Sequence, residues 1–204
     1  MPDLIFTAEP HGYTLGGVPV PHVTGVLNVL TDYGMVAPDV LKIAQEKGKA
    51  VHKTIELLAS GDLDEDALPA WLRPVLEQWR KFVDDTGLEI VASEKKVYHP
   101  IYRYAGTFDL RVTMRGQKGH GLIDLKRSFL AGDVIGLQLI AYLEAENCDK
   151  TQPPVRWRGA LKLREDGPYR YQPFDDPNDF NVFLAALKHH STGQILKQWK
   201  ESHK

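Results

Sequence analysis

One cysteine, Cys148, stands in 204 residues. It has no partner for an internal disulfide, and a four-cysteine zinc or iron–sulfur site within the chain is excluded. Any metal must therefore be held by oxygen or histidine ligands. No apolar run approaches the roughly 18 residues that span a bilayer. The opening MPDLIFTAEPHG has neither a basic leader nor an apolar h-region, so secretion and membrane insertion are not expected. A Gly-x-x-x-x-Gly-Lys-Ser/Thr loop is also missing, so the chain is not expected to drive unwinding with ATP. Nor does any repeat, low-complexity tract or Pro/Gly-rich linker divide it, and residues 1–204 read as a single domain.

An excess of one charge is absent too. The 25 Lys and Arg against 27 Asp and Glu give a net charge of −2, which removes the global basic signature of many nucleic-acid binders. The positive charge is concentrated instead. Lys95, Lys96, Arg103, Arg111, Arg115, Lys118, Lys126 and Arg127 are opposed, from Lys95 to Arg127, only by Asp109 and Asp124, a local excess of six. With 43% hydrophobic residues the chain can form a packed core.

The periodicity changes along the chain. An irregular start rich in Gly and Pro is followed by a short helix from Thr24, as its cap, to Leu30. A longer helix opens at Pro38-Asp39 and runs to about Ala59, with Val51, Ile55 and Leu58 on one face. After an acidic loop, a helix from about Leu68 to Asp85 carries the stripe Leu72, Val75, Trp79 and Phe82 and stops at Gly87. From Leu88 the period becomes two. Strands are expected over Leu88–Tyr98, Tyr104–Met114 and Gly121–Lys126, with Phe108, Leu110, Val112 and Met114 on one face of the second. A helix from about Gly132 to Asn147, strands at Val155–Arg164 and Tyr169–Pro173, and helical segments at Pro177–His190 and near Ile195–Trp199 complete the chain. That order predicts an α/β fold, a central mixed β-sheet flanked by helices.

If the hairpin turns about Gln117, Asp109 lies opposite Leu125 and diagonal to Asp124 and Lys126. Two carboxylates held that close repel, so the pair needs a cation. Lys126 supplies one and a divalent metal would supply another. Oxygen ligands without cysteine suit Mg²⁺ or Mn²⁺, whose usual protein chemistry is the binding or cleavage of phosphates.

Gly106-Thr-Phe-Asp109, Ile123-Asp124-Leu-Lys126 and Gln138-x-x-x-Tyr142, with Gly48-x-x-x-His52 far upstream, resemble the RecB-like, phage-type exonuclease branch of the PD-(D/E)xK nucleases. The pattern is also similar to the mitochondrial genome maintenance exonuclease. The resemblance covers about residues 20 to 145. It implies a restriction-endonuclease-like core and a nuclease domain over residues 1–204. It further implies a Mg²⁺- or Mn²⁺-dependent exonuclease acting on DNA with a free or single-stranded end, in recombination, repair or replication. A cytoplasmic setting, in a bacterial or phage-infected cell, goes with that reading. A DNA endonuclease and a catalytically silent nucleic-acid-binding module of the same fold are the alternatives.

The resemblance also assigns roles. Asp109, Asp124 and the carbonyl of Leu125 would hold the metal, with His52 as an added ligand. Lys126 would position water or stabilise the transition state. Gln138 and Tyr142, one helical turn apart, would contact Lys126 or the nucleic acid, and Glu94 would be an outer or second-metal carboxylate. Taken alone, Asp109 with Lys126 reads as a cross-strand ion pair of little energetic value, and His52 as a helix-edge histidine about 100° round from Val51. Gly48 inside a helix costs roughly 1 kcal/mol and suggests a close approach there. His189, His190 and the remaining histidines read as solvated, and Trp71, Trp79, Trp157 and Trp199 as core or helix-packing residues.

Overall fold

The computed structural model describes residues 3–8, 11–31, 38–127 and 134–202. Where the sequence suggests an irregular start, three short strands form an antiparallel sheet: β1 (Leu4–Thr7), β2 (Gly12–Leu15) and β3 (Val18–Val20). Gly16 and Gly17 join the last two with φ of +57° and +81°, the doubly left-handed backbone that a tight two-residue hairpin demands. Strands of this length carry too few side chains for a period of two to stand out. Tyr13 and Val20 pack with Ala105, and the Ala105 N–H donates to the Pro21 carbonyl at 2.9 Å, so the small sheet is tied to the main one.

Helix α1 (Val23–Leu27) is capped by His22 rather than Thr24. The His22 Nδ1 accepts from the Gly25 N–H at 3.1 Å, doing what a serine or aspartate oxygen usually does. A 3₁₀ turn over Asn28–Leu30 ends it. Helix α2 (Pro38–Ser60) starts where proline and Asp39 fit a first turn. Helix α3 (Leu72–Thr86) begins at the first residue of the stripe rather than at about Leu68, because the Leu72 N–H bonds back to Pro69 and the preceding residues form turns. Its apolar stripe is buried as expected. Gly87, with φ of +61°, ends it by donating to the Val83 carbonyl.

Strands β4 (Glu89–His99), β5 (Tyr104–Thr113) and β6 (His120–Lys126) form an antiparallel meander. Helix α4 (Ile135–Glu146) then crosses over to β7 (Val155–Lys162), which runs parallel to β6, and β8 (Arg170–Phe174) closes the edge antiparallel to β7. The expected start of α4 at Gly132 falls outside the described residues. Helix α5 (Asp179–Ser202) is continuous, where two segments are expected. The fold is therefore α/β, a five-stranded mixed sheet in the order β4-β5-β6-β7-β8. Helices α1, α4 and α5 cover one face and α2 with α3 the other.

Two details of the meander differ from the sequence reading. Leu110 pairs with Ile123 and Arg111 with Leu122. The register is therefore one residue from that expected, and by extension Asp109 comes opposite Asp124 rather than Leu125. Opposed residues share a face, so the shift places the two carboxylates together. The alternation in β5 also breaks. Phe108 packs into the α4 side, whereas Leu110 and Val112 pack under α2 and α3. The change of face falls at Asp109, opposite Glu94, whose φ of +48° takes it out of the ladder between Ser93↔Leu110 and Lys95↔Phe108. A non-glycine residue held there stores about 1 kcal/mol of strain.

Candidate metal centre

The site forms where β4, β5 and β6 meet α2 and α4. Val51 and Ile55 bury one face of α2 against the sheet, and His52 follows Val51 at the edge of that face. Its Nε2 lies 3.0 Å from the Leu125 carbonyl. A carbonyl only accepts, so Nε2 donates and carries the proton. Nδ1 then faces the carboxylates, 3.5 Å from Asp109 Oδ1 and 3.7 Å from Glu94 Oε1. Burial alone would lower the His52 pKa, but the charge of Asp109, the Glu94 carboxylate and Asp124 together outweigh it and push it up to about 9. Without a metal, the imidazolium is the cation that holds these carboxylates together.

Asp109 Oδ2 accepts from the Leu125 N–H at 2.6 Å, which fixes the carboxylate and leaves Oδ1 turned to His52. Burial raises its pKa, with the charges of His52 and Lys126 acting against that. Asp124 is only 1% exposed. Its Oδ2 forms an ion pair with Lys126 Nζ at 2.6 Å, and its Oδ1 accepts from Gln138 Nε2 at 3.2 Å. Burial pushes the Asp124 pKa up to about 6, opposed by Lys126 and reinforced by Asp109.

One nitrogen of His52 and one oxygen each of Glu94 and Asp109 all lie within 4.8 Å of one another, the one such group among the described residues. An imidazole and two carboxylates at that spacing are a donor set that fits a divalent cation without cysteine. Glu94, the outermost of the residues named from sequence, is thus part of the innermost cluster. Asp124 lines the same cavity but is engaged by Lys126 and Gln138, and the Leu125 carbonyl is engaged by His52.

Gln138 reaches Asp124, and Tyr142 comes to the site through Gln138, whose Nε2 donates to its hydroxyl oxygen at 3.3 Å. Burial raises the Tyr142 pKa well above its usual value, so the hydroxyl stays neutral. Gly106 is explained by this ring: a Cβ there would come within 2.4 Å of Tyr142 Cε1. Gly48 differs, since a Cβ would meet nothing within 4 Å. The expected close approach is absent among the described residues, and Gly48 instead lines an open cavity of about 500 Å³ together with Arg127 and Arg164. That cavity shares His52 and Lys126 with a second one of about 440 Å³.

Much of the local positive charge is already spent inside the molecule. Arg111 is 2% exposed and pairs with Glu146 at 2.6 Å, and Lys95 pairs with the same carboxylate at 2.7 Å. Arg127 and Lys47 both pair with Glu165, at 3.0 and 2.9 Å, and both lie over the Trp71 ring. Three of the eight cations of that segment, Lys95, Arg111 and Arg127, are therefore engaged within the molecule, whereas Lys96, Arg103, Arg115 and Lys118 are exposed. Trp71 packs against the core beneath α2 and α3 as expected and also serves as a platform for cations, and Trp79 is a core residue as expected; the Trp199 side chain falls outside the described residues. Sequence reasoning missed Phe6, His11, Tyr13 and His22, which line the 440 Å³ cavity. The available signal was the Gly16-Gly17 pair, which marks a tight turn.

No helix among the described residues is long and apolar enough to cross a membrane. No protein-family model and no curated protein matches the chain. Among solved structures, the chain is similar to an alkaline exonuclease (LHK-Exo) from Laribacter hongkongensis, at 15% identity over 90% of this chain and 94% of that one, with a TM-score of 0.34. It is similar as well to LHK-Exo in complex with dAMP, at 14% identity over 91% and 95% of the two chains, with a TM-score of 0.37. At such scores the chemistry rests on the geometry of this chain alone.

Proposed function

We propose that the protein is a Mg²⁺- or Mn²⁺-dependent nuclease that hydrolyses phosphodiester bonds from the ends of DNA. The observation that carries this reading is the cluster of His52 Nδ1, Glu94 and Asp109 within 4.8 Å, with the Lys126–Asp124 pair beside it in one cavity. Acid, imidazole and ammonium groups around a space open to solvent suit the transfer of a phosphoryl group better than a purely structural ion-pair network. When bound, a divalent cation supplies neutralisation of phosphate charge and acidifies the attacking water. The imidazole in the donor set favours Mn²⁺ over Mg²⁺, which prefers oxygen.

Each residue has a defined task in this reading. Glu94 and Asp109 offer carboxylates to the cation, the second held in place by the Leu125 N–H. His52 loses its Nδ1 proton to become a ligand. Asp124, oriented by Gln138, is available as a further carboxylate. Lys126 stabilises the negative charge that grows on the phosphoryl oxygens as water attacks phosphorus and the ester P–O bond breaks, the proton passing to the departing alkoxide. The test is incubation with end-labelled linear duplex, single-stranded and covalently closed DNA, with Mg²⁺, Mn²⁺ or a chelator. Cleavage of linear but not closed DNA, abolished by chelator, is expected. Cleavage of closed DNA turns the reading to an endonuclease, and no cleavage with either ion overturns it in favour of a silent binding module.

A further inference from the structure

One feature of the 440 Å³ cavity has no part in the chemistry above. Its lining includes four rings brought in by the N-terminal sheet and its flanks, Phe6, His11, Tyr13 and His22. They form a continuous patch: centroids are 5.1 Å apart for Phe6 with His11 and with Tyr13, 4.8 Å for His11 with His22, and 6.1 Å for Tyr13 with His22. Two of the rings are fixed by bonds of their own. The Tyr13 hydroxyl pairs with Thr107 Oγ1 at 2.7 Å, and His22 caps α1 through Nδ1. The His22 ring lies so close over Gly25 that a Cβ there would come within 2.6 Å of Nε2. Burial, with His11 and His190 nearby, lowers the His22 pKa, so that ring stays neutral. Tyr13 is buried behind the patch, whereas Phe6 is only half-buried and His11 is exposed, so the Phe6–His11 side is not closed over by the protein's own core.

The same cavity is thus lined by aromatic faces and by the carboxylate, imidazole and ammonium groups of the centre. A nucleotide divides in the same way, into a flat base and a charged phosphate. We propose that the ring patch of Phe6, His11, Tyr13 and His22 receives the unpaired terminal nucleobase of a nucleic-acid strand whose adjoining phosphate lies at the centre; this rests on the nuclease reading and names the substrate it takes. The volume suits one small-molecule-sized group. A base stacked on side chains has left its own duplex stack, so a single-stranded or frayed end is the form that fits.

The test separates base capture from cleavage. Binding of two internally labelled single strands, one with ordinary terminal residues and one abasic at both ends, is followed by fluorescence anisotropy in chelator. The wild-type protein should bind the abasic strand about tenfold more weakly, the effect of one stacked base. Phe6→Leu, which keeps an apolar side chain but has no π-face, should bind both strands with the weaker affinity, as should His22→Ala. Equal wild-type affinity for the two strands, or no binding of either, overturns the proposal. Cleavage of the ordinary strand with Mn²⁺ is scored separately. Discrimination without cleavage keeps the base pocket and discards the nuclease, and cleavage without discrimination does the reverse.

Discussion

Glu94 and Asp109 hold opposed positions on β4 and β5 at a lapse in the ladder, and their carboxylate oxygens lie within 4.8 Å of one another and of a His52 nitrogen. The left-handed backbone of Glu94 is what brings the pair together, at about 1 kcal/mol for a residue with a Cβ. Glu94→Gly removes both strain and carboxylate. Its thermal midpoint is expected to hold or rise, while Mn²⁺ affinity by calorimetry falls roughly 10-fold or more. Unchanged affinity would show that Glu94 is not a ligand.

Asp124 and Lys126 should behave asymmetrically. Asp124 is buried, with its pKa pushed up to about 6, so its charge at neutral pH opposes folding. Lys126 is partly exposed and can turn to water. Asp124→Asn should therefore leave stability unchanged or higher while turnover drops on the order of 100- to 1,000-fold. Lys126→Met strands a buried carboxylate. It should cost stability, about 1–3 kcal/mol, as well as activity. Denaturant titration and turnover of both variants check the contrast, and equal stability losses would contradict it.

The parts of the site legible in the sequence are those set by short-range chemistry. Asp124 and Lys126 share a face because strand side chains repeat every second residue, and His52 falls beside Val51 on a helix whose buried stripe is plain. What depends on a local break in periodicity was not legible. The hairpin register is off by one residue, because six residues, 114–119, join β5 to β6 where a turn centred on Gln117 needs an odd number. The phase change at Asp109 arises from the backbone of Glu94, and glutamate gives no sign of a positive φ. The three N-terminal strands are too short to show a pattern, and α5 runs on through Gly193 although the residues around it are exposed.

The two glycines of the motif should respond to alanine in opposite directions. Gly106 has the Tyr142 ring where a Cβ belongs, within 2.4 Å. Gly106→Ala should cost about 1–3 kcal/mol by overpacking and loosen the Gln138–Asp124 bond. Gly48 lies within α2 with open space around it, so Gly48→Ala should gain about 1 kcal/mol of helix propensity. If a strand runs through the cavity that Gly48 lines, KM rises while the thermal midpoint also rises. A lower midpoint for Gly48→Ala would contradict the open space.

The last prediction concerns pH and follows from His52. Its pKa is raised from 6.5 to about 9 in the metal-free protein. A cation held by the fold stabilises it fully below the unfolded value, and that contribution is lost as pH rises through the folded one. Metal-free stability should accordingly decline between about pH 6.5 and 9, and the decline should vanish in His52→Ala. Metal binding runs the other way, because Nδ1 must shed its proton to become a ligand. Mn²⁺ affinity should climb roughly tenfold per pH unit across that window, the limit for one released proton, and turnover at subsaturating metal should climb with it. Saturating metal flattens the profile, since the ion itself displaces the proton. His52→Ala should bind Mn²⁺ more weakly and with little pH dependence. Calorimetry at pH 7 and pH 9 decides the matter: equal wild-type affinity at the two values would mean that His52 is not a ligand and serves only to hold the carboxylates and the Leu125 carbonyl together.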